Sequence, residues 1–272
     1  MNLTEDLKAL GLRPGQTVML HASLRALGLA RSQGVENGAE LVLDAILDVL
    51  APTGTLLMIL GTESPHDWVN RHPVAERARL LEGATPVDLR SAPVLAEVGW
   101  VAETFRRRPG TILSSNPSGR FAAFGARASE LVRDQPWNDY YGPGSPLEKL
   151  CAWGGQVLRL GASPDTTTVL HYAEYLADIP DKRRTRWDYV LQGPDGPRHV
   201  YVECLDDNEG IAPWDGEDYF ALMLRDYLAL GRHREGRVGQ APSQLIDAND
   251  IVQFGARWME THLRNRPSTT TG

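Results

Sequence analysis

Strand, helix and strand follow one another near the start of this chain at the spacing of a βαβ unit. Residues 17–20 are an apolar run of strand length, residues 39–50 a strongly apolar helix closed by Pro52 and Gly54, and residues 55–60 a second apolar strand. Two strands that are apolar on both faces and joined by a helix pair in parallel within a covered sheet. The fold class expected is α/β, a central mostly parallel or mixed sheet flanked by helices. With 272 residues and 42% hydrophobic content, the chain can bury such a core. A single domain over residues 1–265 is expected, followed by residues 266–272 as a disordered tail.

Composition removes several function classes. The N-terminus, Met1-Asn2-Leu3-Thr4-Glu5-Asp6, has no apolar signal core, and no stretch approaches the roughly 18 apolar residues of a membrane span. A soluble, cytoplasmic protein without a membrane partner is expected. Cys151 and Cys204 lack C-x-x-C spacing, and His66 and His72 match no ligand motif, so no disulfide framework and no metal are expected. Cys204 stays open as a nucleophile. The net charge of −7 argues against nucleic acid. Between His199 and Leu224 there is no Lys or Arg, whereas Glu203, Asp206, Asp207, Glu209, Asp215, Glu217 and Asp218 all fall there. This run is either a solvated loop or the wall of a cleft for a cationic ligand.

The remaining segments place the candidate site. The strand at residues 17–20 runs into His21-Ala22-Ser23-Leu24-Arg25-Ala26-Leu27-Gly28, small and hydroxyl residues where α/β proteins bind ligands through free backbone N–H groups. Residues 61–92 are polar, irregular and too long for a passive connection, so they are expected to form an inserted flap near the site. Arg106, Arg107 and Arg108, ahead of the serine-rich Ser114 and Ser115, can hold phosphates or simply complement a helix C-terminus. In the C-terminal half, residues 187–192 and 198–204 alternate as paired strands around the turn Gly193-Pro194-Asp195-Gly196. Residues 231–239 read as a basic turn before a last helix at 248–263.

Between these lies the stretch from Gly161 to Asp178. It leaves a strand through Gly161, Ser163, Pro164 and Asp165, and becomes a helix capped by Asp165 or Thr166 that stops before Pro180. His171 is expected in its second turn. Glu174, three residues on, projects from nearly the same face, so a base and a carboxylate leave one rigid element together.

These residues carry a resemblance to the aminoglycoside 3-N-acetyltransferase family of antibiotic acetyltransferases. It covers nearly the whole chain and rests on His21-Ala22-Ser23-Leu24, Gly54-Thr55-Leu56-Leu57-Met58, Phe105-Arg106 with Pro109-Gly110, and Phe121-Ala122-Ala123-Phe124-Gly125. Gly144-Ser145-Pro146-Leu147, Leu170-His171-Tyr172-Ala173-Glu174 and Gly236-Arg237-Val238-Gly239 complete it. The resemblance implies transfer of an acetyl group from acetyl-CoA to the 3-amino group of the deoxystreptamine ring of an aminoglycoside, conferring antibiotic resistance. It implies His171 as general base and Glu203 as the carboxylate that orients it. Glu174, Asp206, Asp207 and Asp178 are implied to meet the cationic antibiotic. The coenzyme is implied to contact His21, Ala22, Ser23, Leu24, Arg25, Gly28, Ser114 and Ser115. This chain has Leu113-Ser114-Ser115-Asn116-Pro117 where relatives often have Arg-Ser-x-His-Pro, Ile59-Leu60 in place of Pro-Thr, and Thr167 where Asn is common.

The chemistry suits the residues. An amine attacks a thioester in its neutral form, so a base must accept a proton, and histidine titrates near pH 6.5. A polycationic sugar needs carboxylates to replace the water it loses. The alternatives are an acetyltransferase of the same fold acting on another amine, a hydrolase using Ser23 or Ser145 with His171 although Gly-x-Ser-x-Gly is missing, and a non-catalytic binder of cationic sugars.

Overall fold

A computed structural model describes residues 2–264; the expected tail at 266–272 lies outside them. Helix α1 (Leu3–Leu10) is capped by the Asn2 side chain and ended by Gly11 in the left-handed region. Strand β1 (Thr17–Ala22) turns into the short α2 (Leu24–Leu27), and α3 (Gly38–Leu50) returns the chain to β2 (Thr55–Ile59). β1 and β2 pair in parallel, Thr17 opposite Thr55, as the βαβ spacing requires. Gly54 is obligatory at this return, because a Cβ there would meet the Leu50 carbonyl oxygen at 2.5 Å.

The expected flap holds a 3-10 turn at Asp67–Arg71 and α4 (Val74–Leu80). Helix α5 (Trp100–Arg107) leads to β3 (Ile112–Leu113), β4 (Phe121–Gly125) and α6 (Ala128–Val132). Ser145 caps α7 (Pro146–Ala152), with proline at the start of the helix where its missing N–H costs nothing. β5 (Gln156–Leu160) and α8 (Leu170–Leu176) follow, then β6 (Arg184–Gly193) and β7 (Gly196–Leu205), α9 (Tyr219–Ala229), β8 (Arg234–Val238), β9 (Ala241–Asp247) and α10 (Ala248–Leu263).

Seven strands form one sheet in the order β3-β4-β2-β1-β5-β9-β8, and β6 and β7 form a separate hairpin. The three central strands are parallel and the outer pairs antiparallel, so the sheet is mixed. Alternation divides its side chains between two cores. Val18 and Leu20, Leu56 and Met58, and Leu158 and Leu160 point into one, shared with α1, α3 and α5. Met19, Leu57 and Val157 point into the other, shared with α6 to α10 and the hairpin.

The basic turn expected at 231–239 is instead strand β8, paired with β9 at the edge of the sheet. Its exposed Arg234, Glu235 and Arg237 give it the charged face that protects an edge strand from further pairing, and that face hides it from a search for apolar alternation. Among the described residues no helix is long and apolar enough to cross a membrane.

Candidate active site

The carboxyl ends of β1, β2 and β5 open into a cleft of about 1620 Å³, walled on its far side by the flap, the hairpin and the loop after β7. On the sheet side, the buried Arg159 of β5 reaches back under the loop that follows. Its guanidinium donates to the carbonyls of Ala162 (3.0 Å) and Ser163 (2.9 Å) and to the Thr167 hydroxyl. Thr166 closes its own turn onto the Ser163 carbonyl at 2.7 Å. Leu170 and His171 then donate to the carbonyls of Thr167 and Thr168. These tight turns delay α8 until Leu170, so neither Asp165 nor Thr166 caps it and His171 sits in its first turn. Asp165 is thereby left to line the cleft.

His171 also lines the cleft, its side chain 19% exposed. Nδ1 meets Glu174 Oε2 at 2.8 Å, one helical turn on. Glu174 is buried, and its other oxygen accepts the Tyr219 hydroxyl of α9. The imidazole stacks on Tyr141 with centroids 4.8 Å apart and planes at 11°, and packs on Phe220 at 4.8 Å. With Nδ1 committed to Glu174, Nε2 is the nitrogen free to meet a substrate. Burial disfavours the imidazolium, yet the charge and hydrogen bond of Glu174, with Asp207 and Asp218 beyond it, outweigh burial and hold the His171 pKa above its ordinary value.

Acids gather around this ring. Asp207 lines the cleft and accepts the Tyr140 hydroxyl at 2.6 Å and the Trp187 indole N–H at 3.3 Å. Burial pushes its carboxyl above the usual carboxylate range, against the pull of His171 and these donors. Asp206, Glu209 and Asp218 line the same cleft. Asp206 Oδ1 accepts the N–H groups of Asn208 and Glu209 and folds that loop, while Asp218 caps α9.

Residues 19–260, which include His171, Glu174 and the acids of this cleft, match the family described as aminoglycoside 3-N-acetyltransferase. The chain belongs to that family. It is 39% identical to aminoglycoside N(3)-acetyltransferase VII of Streptomyces paromomycinus, over 96% of this chain and 91% of that protein. The solved structure of AAC-IIIb in its binary complex with CoASH matches with a TM-score of 0.88 at 36% identity, covering 97% of each chain. Sisomicin-bound AAC-VIa matches with a TM-score of 0.85 at 35% identity, covering 96% of this chain and 97% of that one.

Not every position implied by the family resemblance meets the cleft. The histidine's carboxylate partner is Glu174, not Glu203. Glu203 lies opposite Arg186 in the hairpin, on the face shared with Asp188, whereas Thr185, Trp187 and Tyr189 face the cleft from the other side. Its side chain is exposed. Asp178 has left α8 and is also exposed, paired with Arg264 at 2.6 Å. Ser114 is buried, its hydroxyl accepting the Phe121 N–H at 2.9 Å, and Ser115 points to solvent; Ser118 is the serine of this loop that reaches the cleft. Gly28 ends α2 in the left-handed region beside Gln240 and shapes the corner from behind.

His21, Ala22, Ser23, Leu24 and Arg25 do line the cleft. His21 is buried with Nε2 unpartnered, and burial, with Arg159 nearby, lowers its pKa to about 3, so the ring is neutral. The Ser23 and Ser145 hydroxyls cap α2 and α7. Burial pushes the Cys204 thiol well up, which disfavours the thiolate. The three arginines end up paired with acids, Arg106 and Arg107 with Glu103 and Arg108 with Asp44. Among the described residues no group of three or more His, Cys, Asp or Glu is placed to hold a metal ion. Tyr141, Phe220, Tyr219, Tyr140 and Asp67 were invisible in the sequence, because each reaches the site from a loop or helix that only tertiary packing brings there. Trp187 and Tyr189 were readable from the alternation of β6.

Proposed function

We propose that this protein transfers the acetyl group of acetyl-CoA to the 3-amino group of the deoxystreptamine ring of aminoglycoside antibiotics, and that this cytoplasmic activity confers resistance. The observation that carries the reading is His171, with Nδ1 on the buried Glu174 and its other nitrogen turned to an acid-lined cleft. Glu174 fixes the tautomer and stabilises the imidazolium, the logic of the Ser-His-Asp arrangement with a substrate amine in place of serine. His171 Nε2 takes the proton as the amine adds to the thioester carbon, and a proton passes to the sulfur as the carbon–sulfur bond breaks. Asp207 and Asp218 favour a cationic acceptor beside the base. The corner from Ala22 to Arg25 suits the coenzyme: Arg25 offers charge to phosphates, and His21 Nε2 is a polar atom awaiting a partner.

Thiol release with acetyl-CoA and a panel of aminoglycosides tests the proposal, with the acetylated position assigned by NMR. His171→Ala is expected to lower turnover by roughly 10²–10⁴-fold while the protein stays folded and still binds acetyl-CoA. Thiol release that needs no amine, or wild-type turnover in the folded variant, overturns it.

A further inference from the structure

The flap and the hairpin meet at a buried polar cluster that the acetyl-transfer chemistry does not use. At its centre is Asp188 of β6, whose side chain is 0% exposed. Oδ1 accepts from Arg186 Nη2 and from His199 Nε2, both at 2.8 Å. Oδ2 accepts from Arg186 Nε at 3.0 Å and from Arg77 Nη1 at 3.2 Å. Three side chains converge on one carboxylate, and Arg77 arrives from α4, in the flap. The Arg77 guanidinium also donates to the carbonyls of Asn70 (2.8 Å), His72 (2.8 Å) and Arg186 (2.6 Å). It therefore joins two points of the flap to two of the hairpin. Asn70 adds a reciprocal pair with the Asp188 backbone, accepting its N–H at 2.8 Å and donating to its carbonyl at 3.3 Å.

The same two segments share an apolar cluster of their own, Val69, Leu81 and Val190. They also share an edge pairing, in which Val87 donates to the Val190 carbonyl at 2.8 Å and accepts from Gln192 at 2.9 Å. Flap and hairpin are tied to each other as one unit. Its cleft side presents Asp67, Asn70 and Arg71 from the flap beside Thr185, Trp187 and Tyr189 from β6. Asn70 thus stands in the cleft wall and in the cluster at once. The wall is on the acceptor side, since Trp187 of β6 donates its indole N–H to Asp207 at 3.3 Å and Asp207 lines the same cleft as His171.

We propose that Arg77 and Asp188 are positioning residues for the acceptor, a clamp that fixes the flap against the hairpin and so sets the shape of the wall the aminoglycoside meets. This inference rests on the acetyltransferase reading above. A carboxylate fully removed from water is costly unless every oxygen is satisfied, and apolar packing could hold the segments together more cheaply. What the polar cluster adds is a fixed register between two segments that are otherwise irregular on one side and edge-paired on the other.

The test is steady-state kinetics of Arg77→Met and Asp188→Asn, with each substrate varied in turn, beside amide hydrogen exchange of the free protein. The expected result is a rise of about tenfold or more in aminoglycoside KM, with acetyl-CoA KM within about twofold of wild type. Exchange should quicken in residues 61–92 and 184–205 but not in the central sheet. Arg77→Lys keeps the charge without the fork and should show a smaller shift of the same kind; it is the variant to be read if the others do not fold. An unchanged aminoglycoside KM, an equal rise in both KM values, or wild-type exchange in the flap overturns the proposal. A wild-type protein that acetylates no aminoglycoside would sink the functional reading instead, and the exchange pattern would still decide whether the clamp exists.

Discussion

His171 must be neutral to accept a proton, yet its surroundings favour the charged ring. Burial works against the charge, but Glu174, Asp207 and Asp218 together raise its pKa above the ordinary 6.5. The sign for activity follows: kcat/KM should rise with pH and level off only above the raised pKa, later than an unperturbed histidine would allow. Glu174→Gln removes the nearest negative charge, so the acidic limb should move to lower pH while the plateau falls by roughly 10²-fold. Glu203→Gln should leave both within about twofold of wild type, because that side chain is exposed on the far face of the hairpin. A pH–rate profile of the three proteins checks this, and a limb that Glu174→Gln does not move would mean another group titrates. The His171 and Glu174 pair was legible from their three-residue spacing alone. The hairpin was expected to carry Glu203 towards the cleft; instead Val202 and Cys204, which flank it, are the buried ones, and alternation turns Glu203 outward. The alternation of apolar residues at 200, 202 and 204 is the signal in the sequence that turns Glu203 away from the cleft.

At the level of elements, the acidic run between His199 and Leu224 divides into two groups. Asp206, Asp207, Glu209 and Asp218 line the cleft, whereas Glu203, Asp215 and Glu217 do not, and Glu217 pairs with Arg225 at 3.2 Å. The absence of Lys and Arg marked the run; which members face inward depends on the turn after β7 and on the cap of α9, and composition carries neither. Charges held in a cleft act on a cationic ligand more strongly than solvated ones. Rising salt should therefore raise the wild-type aminoglycoside KM, and Asp207→Asn should raise KM at low salt while making it less salt-dependent. Glu217→Gln should keep the wild-type dependence. The measurement is an acceptor titration at low and high salt with acetyl-CoA saturating. An identical response in all three proteins would place the acceptor elsewhere.

For the whole molecule, apolar runs located the central strands, because strands buried on both faces need little else. β8 escaped because its charges face solvent at the sheet edge, and the delayed start of α8 escaped because it depends on Arg159, a residue of another element. Stability against acid involves the whole fold in the same way. Glu103 of α5 is buried and its carboxylate is gripped by Arg106 at 3.0 and 2.8 Å, with the Val94 N–H at 3.2 Å. The Arg106 hydrogen bonds, outweighing burial, with Val94 and the charges of Arg106 and Arg107 assisting, lower its pKa from 4.5 to about 2. A carboxylate depressed in this way favours the folded state above its unfolded pKa, and the contribution is lost as pH falls through the folded value. Burial opposes the charge of Asp188, but its hydrogen bonds from Arg186, His199 and Arg77 overcome it and depress its pKa as well, so it acts in the same direction. His171, with its raised pKa, has the opposite sign: its contribution is complete below the unfolded pKa and is lost as pH rises through the folded one. Glu103→Gln keeps an oxygen for the Val94 N–H but loses the charge. Its deficit in urea unfolding free energy should be largest at neutral pH and should shrink between pH 4.5 and about 2, as the wild-type carboxylate takes up its proton. A deficit that stays constant across that interval would show that Glu103 acts through packing rather than charge.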